Sequence, residues 1–444
     1  MRHDPHPSRL SRAPHAWWVG FVCGMATFVD TAATTGIAVA LVLFQSMAPG
    51  APGLTPDQIG LLTGVLTAGV AVGSLVGGRL GDRLGRRRVF LVTMALIVVG
   101  SLTPFFGVSF EILLPGIALI GLGVGADLPV ALATISEAAT DRNRGKILVF
   151  SNLLGGFGIL MAVLIGIFYG SLGPVGGQIM FGAFGGIGLV VLALRLTIPE
   201  SAIWLAARDE RRAGVQTVRA ERTRLRDFGR TPYRRPFVTL LVYYTLASLA
   251  ISVAGSFGTF VAVNVAGIPV NEYQGWTLLA MPAAIVGAVW FMSVADTRFR
   301  MNWFVIGAVG VVVANLVPVV FGFTLPALIV SVVGSTFAGA FCFETIMKVW
   351  TQESFPTMMR STAQGTIYAV ARFATAGLNV VTPALLALNP SGVYVGVSIV
   401  AALGFLIGWI GFRRATRSSF DVESELVADA SATDRPAPAT PATA

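Results

Sequence analysis

Charged side chains are scarce in this sequence. Aspartate, glutamate, lysine and arginine make up only 12% of its 444 residues, whereas hydrophobic residues make up 55%. Soluble globular proteins carry roughly 25% charged residues. A chain this long and this apolar would expose large hydrophobic patches to water, which argues against an ordinary soluble enzyme.

Cysteine and histidine are almost absent. The two cysteines, Cys23 and Cys342, fall in apolar segments, which favours small buried residues over a disulfide or a catalytic thiol. All three histidines lie within the first 15 residues. No metal-ligand cluster, nucleophile–base pair or ATP-binding loop is evident. The sequence therefore predicts no enzyme activity, no metal and no cofactor.

Long, uninterrupted apolar runs are abundant instead, for example over 89–107 and 393–412. A transmembrane helix needs about 20 apolar residues, whereas the strands of a membrane barrel alternate apolar and polar residues. Backbone groups in hydrocarbon must be satisfied within the span, so such runs predict helices. We predict an all-α polytopic membrane protein with twelve spans at 17–43, 57–80, 88–108, 111–136, 146–170, 175–197, 236–263, 274–295, 301–323, 325–347, 362–388 and 391–412.

The basic residues that lie outside the predicted spans are confined to alternate linkers and the tails. They cluster at 79–88, 142–146, 206–235, 298–300 and 413–417, whereas 45–56, 170–174, 264–275 and 389–391 contain no lysine or arginine. Cytoplasmic loops carry the excess of positive charge. This pattern predicts a plasma (inner) membrane protein with both termini in the cytoplasm, and it explains the net charge of +9 without nucleic-acid binding.

Two charged motifs recur in the second half of the chain in the same order and at nearly the same offset. Asp82 and Arg86 correspond to Asp296 and Arg300, and Glu137 and Arg144 correspond to Glu353 and Arg360. Such duplication is typical of transporters that work by alternating access. We predict a cytoplasmic tail (1–16), a six-helix bundle (17–197), a cytoplasmic linker (198–235), a second six-helix bundle (236–412) and a disordered tail (413–444).

Glycines recur at helical spacing in two of the spans. Gly69, Gly73 and Gly77 form one small-residue face, and Gly121 and Gly125 form another. A dinucleotide-binding loop is excluded for the second set because it lies within a span. Close helix packing is the expected role of both.

Several motifs resemble the major facilitator superfamily. Residues 77–88, which read Gly-Gly-Arg-Leu-Gly-Asp-Arg-Leu-Gly-Arg-Arg-Arg, are similar to that family's signature after the second helix. Pro199-Glu200-Ser201 resembles the sugar-porter motif after the sixth helix, and Glu137, Arg144, Glu353 and Arg360 match its motifs after helices four and ten. Over about 17–412 the chain resembles the sugar-porter and metabolite:proton symporter branch. The resemblance implies two pseudo-symmetric six-helix bundles, a small-molecule substrate, H⁺ as co-substrate and a monomer.

The sequence also departs from the sugar-porter pattern. The arginine expected early in the fourth helix is replaced by Ile117 or a neighbour, and the glutamine pattern of the seventh helix is missing. Residues 121–129 look more like metabolite:proton symporters. The stretch from Glu353 to Gly365, continued to Arg372, resembles inositol-type and organic-acid-type members. These departures argue against a hexose.

Ionisable residues within spans are costly and normally face the protein interior or a wet cavity. Asp30 and Asp127 are the predicted proton-coupling residues, since burial favours a neutral carboxyl that can be recharged during a cycle. Arg372 could pair with either aspartate or bind a substrate carboxylate. Glu344 and Lys348 are spaced for an intrahelical pair, with Glu344 a turn deeper and able to line a cavity.

Two further groups of residues complete the predicted site. Besides Arg372 and Glu344, the predicted substrate contacts are amide, phenol and indole side chains at Gln364, Tyr368, Asn379, Asn152, Tyr244 and Trp276. The resemblance implies that charged side chains at one membrane face form latches between helices. These are Asp82, Arg83, Arg86, Glu137, Arg144, Glu353, Arg360 and Glu200.

The favoured function is proton-coupled uptake of a small hydrophilic metabolite, a sugar or an inositol-like polyol. Uptake of an organic or aromatic acid is the nearest alternative, with Arg372 binding the carboxylate. Drug efflux is a further alternative, and it would need a broader apolar cavity. A receptor or membrane enzyme is the alternative from another class, but no residue pattern supports it.

Overall fold

The computed structural model describes residues 16–45, 53–138, 144–200, 233–294, 299–355 and 357–413, together with a few single residues between these ranges. Side chains at some positions within the ranges are not described. The first half of the described chain contains α1 (Ala16–Leu43), α2 (Pro56–Leu84), α3 (Arg86–Ser101), α4 (Phe110–Ala138), α5 (Arg144–Tyr169) and α6 (Pro174–Leu196). The second half contains α7 (Arg234–Asn264), α8 (Val270–Thr277), α9 (Ala280–Val294), α10 (Arg300–Phe321), α11 (Leu325–Cys342), α12 (Glu344–Ser354), α13 (Thr357–Leu388) and α14 (Pro390–Phe412).

Twelve helical segments are long and apolar enough to span a membrane. Two of them are built from a pair of α-helices: α8 with α9, and α11 with α12. No strand occurs among the described residues. The prediction of twelve membrane-spanning helices is confirmed.

The start of α2 and the junction between α2 and α3 follow directly from local sequence. Thr55 and Gln58 form a capping box, in which each side chain accepts a hydrogen bond from the other residue's backbone N–H, and Pro56 occupies the first helical position. At the other end, α2 continues to Leu84 through most of the signature segment. Gly85, with φ 95°, is the single residue that separates α2 from α3.

Glycine faces bring α2 and α4 close together, as predicted. A Cβ atom at Gly77 would overlap the backbone of Ala126, and one at Gly125 would overlap the backbone of Val70. Small residues at these positions let helices pack in lipid through close backbone contact.

The two halves are joined by apolar packing at one end of the bundle. We call it the arginine-poor end; among the described residues it contains 43–45, 53–56, 169–174, 264–270 and 388–390. One hydrophobic core there combines Leu41 and Phe44 from the first half with Phe260 and Tyr394 from the second. The other two cores, nearer the opposite, arginine-rich end, each belong to a single half. The structure is therefore in a state that is closed at the arginine-poor end.

The contact between α2 and α13 is the tightest part of this closure. A Cβ atom at Gly60 would overlap the carbonyl of Val380, and one at Gly64 would collide with the side chain of Val380 and the carbonyl of Ala376. Closure at this end therefore depends on the absence of side chains along one face of α2.

Replacing Gly64 by leucine should hold the arginine-poor end open. Overpacking costs about 1–3 kcal/mol, which shifts the balance toward the open state by roughly fivefold to a hundredfold. The measurement is the rate at which a cysteine in place of the buried Thr67 reacts with a membrane-impermeant maleimide. Gly377→Leu on α13, where an added Cβ atom would meet no other atom within 4 Å, is the matched control. Equal labelling rates in both variants would contradict the role of Gly64.

Candidate functional site

A cluster of charged and phenolic side chains lies at the middle of the bundle. Its members come from both halves: Asp30 on α1, Tyr244 on α7, Glu344 and Lys348 on α12, and Tyr368 and Arg372 on α13. The α13 members are spaced four residues apart, which places them on one face of that helix. Gln364 is on the same face, one turn before Tyr368. We call this set the central cluster.

A break in the tenth span positions one of the acids. The helix ends at Cys342, Phe343 is non-helical (φ −115°, ψ −114°), and Glu344 starts α12. The hydroxyl of Tyr243 donates to the carbonyl of Cys342, which the break leaves without a backbone donor, and lies 3.1 Å from the carbonyl of Phe343, which also accepts the N–H of Met347. A carboxylate is favoured at the helix N-terminus that results. The sequence predicted one continuous span here, because neither glycine nor proline marks the break.

An ion pair in the central cluster connects the two halves. Nη2 of Arg372 lies 3.5 Å from Oδ2 of Asp30. Asp30 is 8% exposed, while the Arg372 side chain is 32% exposed. The other carboxylate oxygen of Asp30 is buried and accepts no hydrogen bond within the described part of the chain. A buried oxygen without a donor makes the charged carboxylate costly.

Glu344 is more accessible than Asp30, with 45% of its side chain exposed. Its Oε1 atom lies 2.8 Å from Nζ of Lys348 and accepts a 2.8 Å hydrogen bond from the hydroxyl of Tyr368. The predicted pairing of Glu344 with Lys348 is confirmed. Tyr244 stacks on Phe343 at 5.2 Å and meets the edge of Tyr368 at 5.1 Å between ring centroids. The Glu344 carboxylate therefore lies beside the rings of Phe343, Tyr244 and Tyr368, which we call the aromatic wall.

Asp127 lies outside the central cluster and has a different cation as its partner. Both of its carboxylate oxygens accept hydrogen bonds from Arg195 on α6, and Thr93 on α3 donates a third at 3.0 Å. The hypothesis that Asp127 pairs with Arg372 was wrong. Sequence reasoning missed Arg195, although an arginine within the predicted sixth span was itself a signal that a buried partner exists.

Asn379, predicted to contact substrate, instead makes hydrogen bonds across the closed end. Its amide donates to Oγ1 of Thr67 on α2 at 3.1 Å and accepts from Ser252 on α7 at 3.0 Å. It is completely buried in this state. Trp276 is half-exposed in α8, toward the arginine-poor end of its span, and the side chain of Asn152 lies outside the described residues.

Two of the predicted latches have described partners. The carboxylate of Glu200 accepts hydrogen bonds from the backbone N–H groups of Arg86 (2.7 Å) and Arg87 (3.3 Å) at the start of α3. Arg300 makes two hydrogen bonds to Glu353, of 2.6 and 3.0 Å, which join the segments after spans eight and ten. The side chains of Asp82, Arg83, Glu137, Arg144 and Arg360 lie outside the part of the chain that the structure describes.

A family model for the Major Facilitator Superfamily matches residues 20–377. The chain belongs to the Major Facilitator Superfamily. The resemblance found in the sequence is thereby confirmed: the protein is a multi-pass membrane transporter with two six-helix bundles, and it is not an enzyme.

Individual relatives within this superfamily are distant. The chain is 29% identical over 296 residues to the minor myo-inositol transporter IolF of Bacillus subtilis, a match that covers 65% of this chain and 66% of that protein. It is 26% identical to the putative niacin/nicotinamide transporter NiaP of the same organism, over 65% of this chain and 69% of that one. The fold matches the partially occluded inward-open xylose transporter XylE of E. coli with a TM-score of 0.72 at 16% identity, covering 92% of this chain and 99% of that structure.

Replacing Tyr243 by phenylalanine should destabilise the broken span. The change leaves the buried carbonyl of Cys342 without its side-chain donor, which costs about 1–3 kcal/mol. Thermal unfolding in detergent measures the loss, and Tyr394→Phe, at a buried tyrosine on α14, is the control. An unchanged unfolding temperature for Tyr243→Phe would mean that this hydroxyl does not support the break.

Proposed function

We propose that this protein is a proton-coupled importer of a small polyhydroxyl metabolite, such as an inositol-like polyol. It works by alternating access in the plasma (inner) membrane, with both termini in the cytoplasm. The observation that carries the proposal is the Asp30–Arg372 pair, which joins the halves beside Glu344 and the tyrosines. The described state, closed at the arginine-poor end, then faces the cytoplasm.

Asp30 is the proposed proton carrier. When it is charged, its attraction to Arg372 holds the two halves together at the central cluster. When it is protonated, that attraction is lost, and the balance between states of the bundle shifts. The charged side chains that act on Asp30 are Arg372, Glu344 and Lys348. Because Arg195 and Thr93 already hold both oxygens of Asp127, we assign coupling to Asp30 alone.

Glu344 and the aromatic wall form the proposed substrate site. A carboxylate with free acceptor capacity binds the hydroxyl groups of a polyol, and aromatic faces cover its apolar C–H surface. Tyr368 and Lys348 hold the Glu344 carboxylate in place. Gln364 adds an amide on the same face of α13. The names of the relatives, a myo-inositol transporter and a xylose–proton symporter, agree with this substrate class and with coupling to protons.

A carboxylate substrate is the second candidate. It is favoured by the one-third exposure of the Arg372 side chain, which leaves donor groups accessible beside Asp30. The relative named as a niacin/nicotinamide transporter is consistent with it. Protonation of Asp30 would then free Arg372 for the incoming anion.

Asp30→Asn should abolish uphill uptake driven by a pH gradient but retain exchange of substrate across the membrane. A neutral amide cannot lose a proton, so the coupling step is missing while the rocking motion survives. Proteoliposomes with and without an imposed pH gradient measure uptake, and counterflow measures exchange. Glu111→Gln, an exposed acid at the start of α4, is the control. Gradient-driven accumulation by Asp30→Asn would rule Asp30 out as the carrier.

Glu344→Gln should weaken binding of a polyol while leaving the fold intact. A hydrogen bond to a charged group is worth about 1.5–3 kcal/mol, so we expect the KM for myo-inositol to rise roughly tenfold or more. The same uptake assay, run against a panel of polyols, pentoses and aromatic carboxylates, measures this. If only carboxylates are transported and Arg372→Ala alone abolishes their binding, the second candidate replaces the first.

A further inference from the structure

The second buried aspartate of the chain is the centre of a separate cluster in the first half. The Arg195 side chain has no exposed surface, and its guanidinium bonds to both oxygens of Asp127. Thr93 donates to the same carboxylate, and the guanidinium carbon lies 3.9 Å from the centre of the Phe90 ring. The Arg195 guanidinium on α6 thereby contacts both α3 and α4 near the arginine-rich end.

The chain that follows Arg195 leads directly to the latch at the start of α3. Helix α6 ends at Leu196, and Ile198 is buried in the same apolar core as Phe90. Two residues later, Glu200 accepts the backbone N–H groups of Arg86 and Arg87. Only a few residues separate Arg195 from Glu200, so the place of Glu200 depends on where α6 ends.

Stability alone does not account for an ion pair at this depth. Well-packed apolar residues often replace a buried ion pair at no loss of stability. What the pair does provide is geometry, because a guanidinium that binds both oxygens of a carboxylate fixes distance and direction together. Asp127 also differs from Asp30, which has one buried oxygen without a donor in the described residues. A proton carrier needs a carboxylate that is only partly satisfied, and Asp127 is fully satisfied.

We propose that Arg195 is a positioning residue for alternating access. Through Asp127 it sets the end of α6 so that Glu200 holds the start of α3, beside the signature segment, and this arrangement determines how fast the two halves exchange states. The inference rests on the transport function proposed above, and it adds a pair outside the substrate site that controls the rate of that transport.

The test compares Arg195→Gln, Asp127→Asn, the double variant that carries both changes, and Glu200→Gln. Each single change at the pair leaves an unpaired buried charge and should lower the thermal unfolding temperature. The double variant has no such charge and should recover most of that temperature. Its turnover in myo-inositol exchange should nevertheless remain roughly tenfold low, with an unchanged KM, as in Glu200→Gln.

Hydrogen–deuterium exchange of the full-length protein provides a readout that needs no substrate. The amides of Arg86 and Arg87 should exchange faster in the double variant and in Glu200→Gln, whereas peptides from α10 and α11 should not change. Unaltered hydrogen–deuterium exchange at the start of α3 in the double variant would overturn the proposal. This holds even if the transported substrate is not a polyol. Failure of the wild-type protein to exchange any polyol would instead count against the proposed function alone.

Two outcomes of the transport assays would also overturn the proposal that Arg195 is a positioning residue. If the double variant recovers turnover together with thermal stability, the pair is structural only. If Asp127→Asn loses gradient-driven uptake but keeps exchange, as expected for Asp30→Asn, then Asp127 carries a proton and does not act through Arg195.

Discussion

The cost of holding a charge inside an apolar helix bundle is the constraint on which the rest of this structure depends. The described side chains include two buried aspartates within spans, Asp30 and Asp127, and their surroundings compensate the charge to different degrees. Asp127 has three donors from two other helices, so its charged form is fully compensated. Asp30 has one cation, at 3.5 Å, and an oxygen without a donor in the described residues. The first arrangement stabilises the charged carboxylate, whereas the second compensates it only in part.

The interface between the halves changes in character along its length. At the arginine-poor end it includes apolar side chains, the glycine face of α2, and the hydrogen bonds from Asn379 to Thr67 and from Asn264 to Gln45. At the central cluster, a single ion pair crosses it among the described residues. Packed apolar side chains form or lose their contacts together, whereas the strength of an ion pair changes when its acid gains or loses one proton. A transporter that couples a motion to a proton needs both kinds of contact.

The central cluster is electrically balanced, with two acids and two cations. Asp30 and Glu344 face Arg372 and Lys348, so protonation of one acid leaves an excess positive charge among groups that line the site. The break at Phe343 brings Glu344 to a helix N-terminus and aligns the ring of Phe343 with that of Tyr244. The proposed proton site and the proposed substrate site are thus neighbours, so that occupancy of one would influence the other.

The sequence by itself determined the twelve spans, because apolar runs of this length have few other stable solutions. It also determined the superfamily, through the signature segment, and the Glu344–Lys348 pair, because both residues lie on one helix four positions apart. The tertiary structure decided which cation faces which aspartate and which residue meets Asn379. Arg195 and Asp127 are 68 residues apart, and Asn379 and Thr67 are 312 apart, so their meeting depends on how separate helices cross. The break at Phe343 also depends on tertiary structure, because the carbonyl of Cys342 that it releases accepts a hydrogen bond from Tyr243 on a different helix.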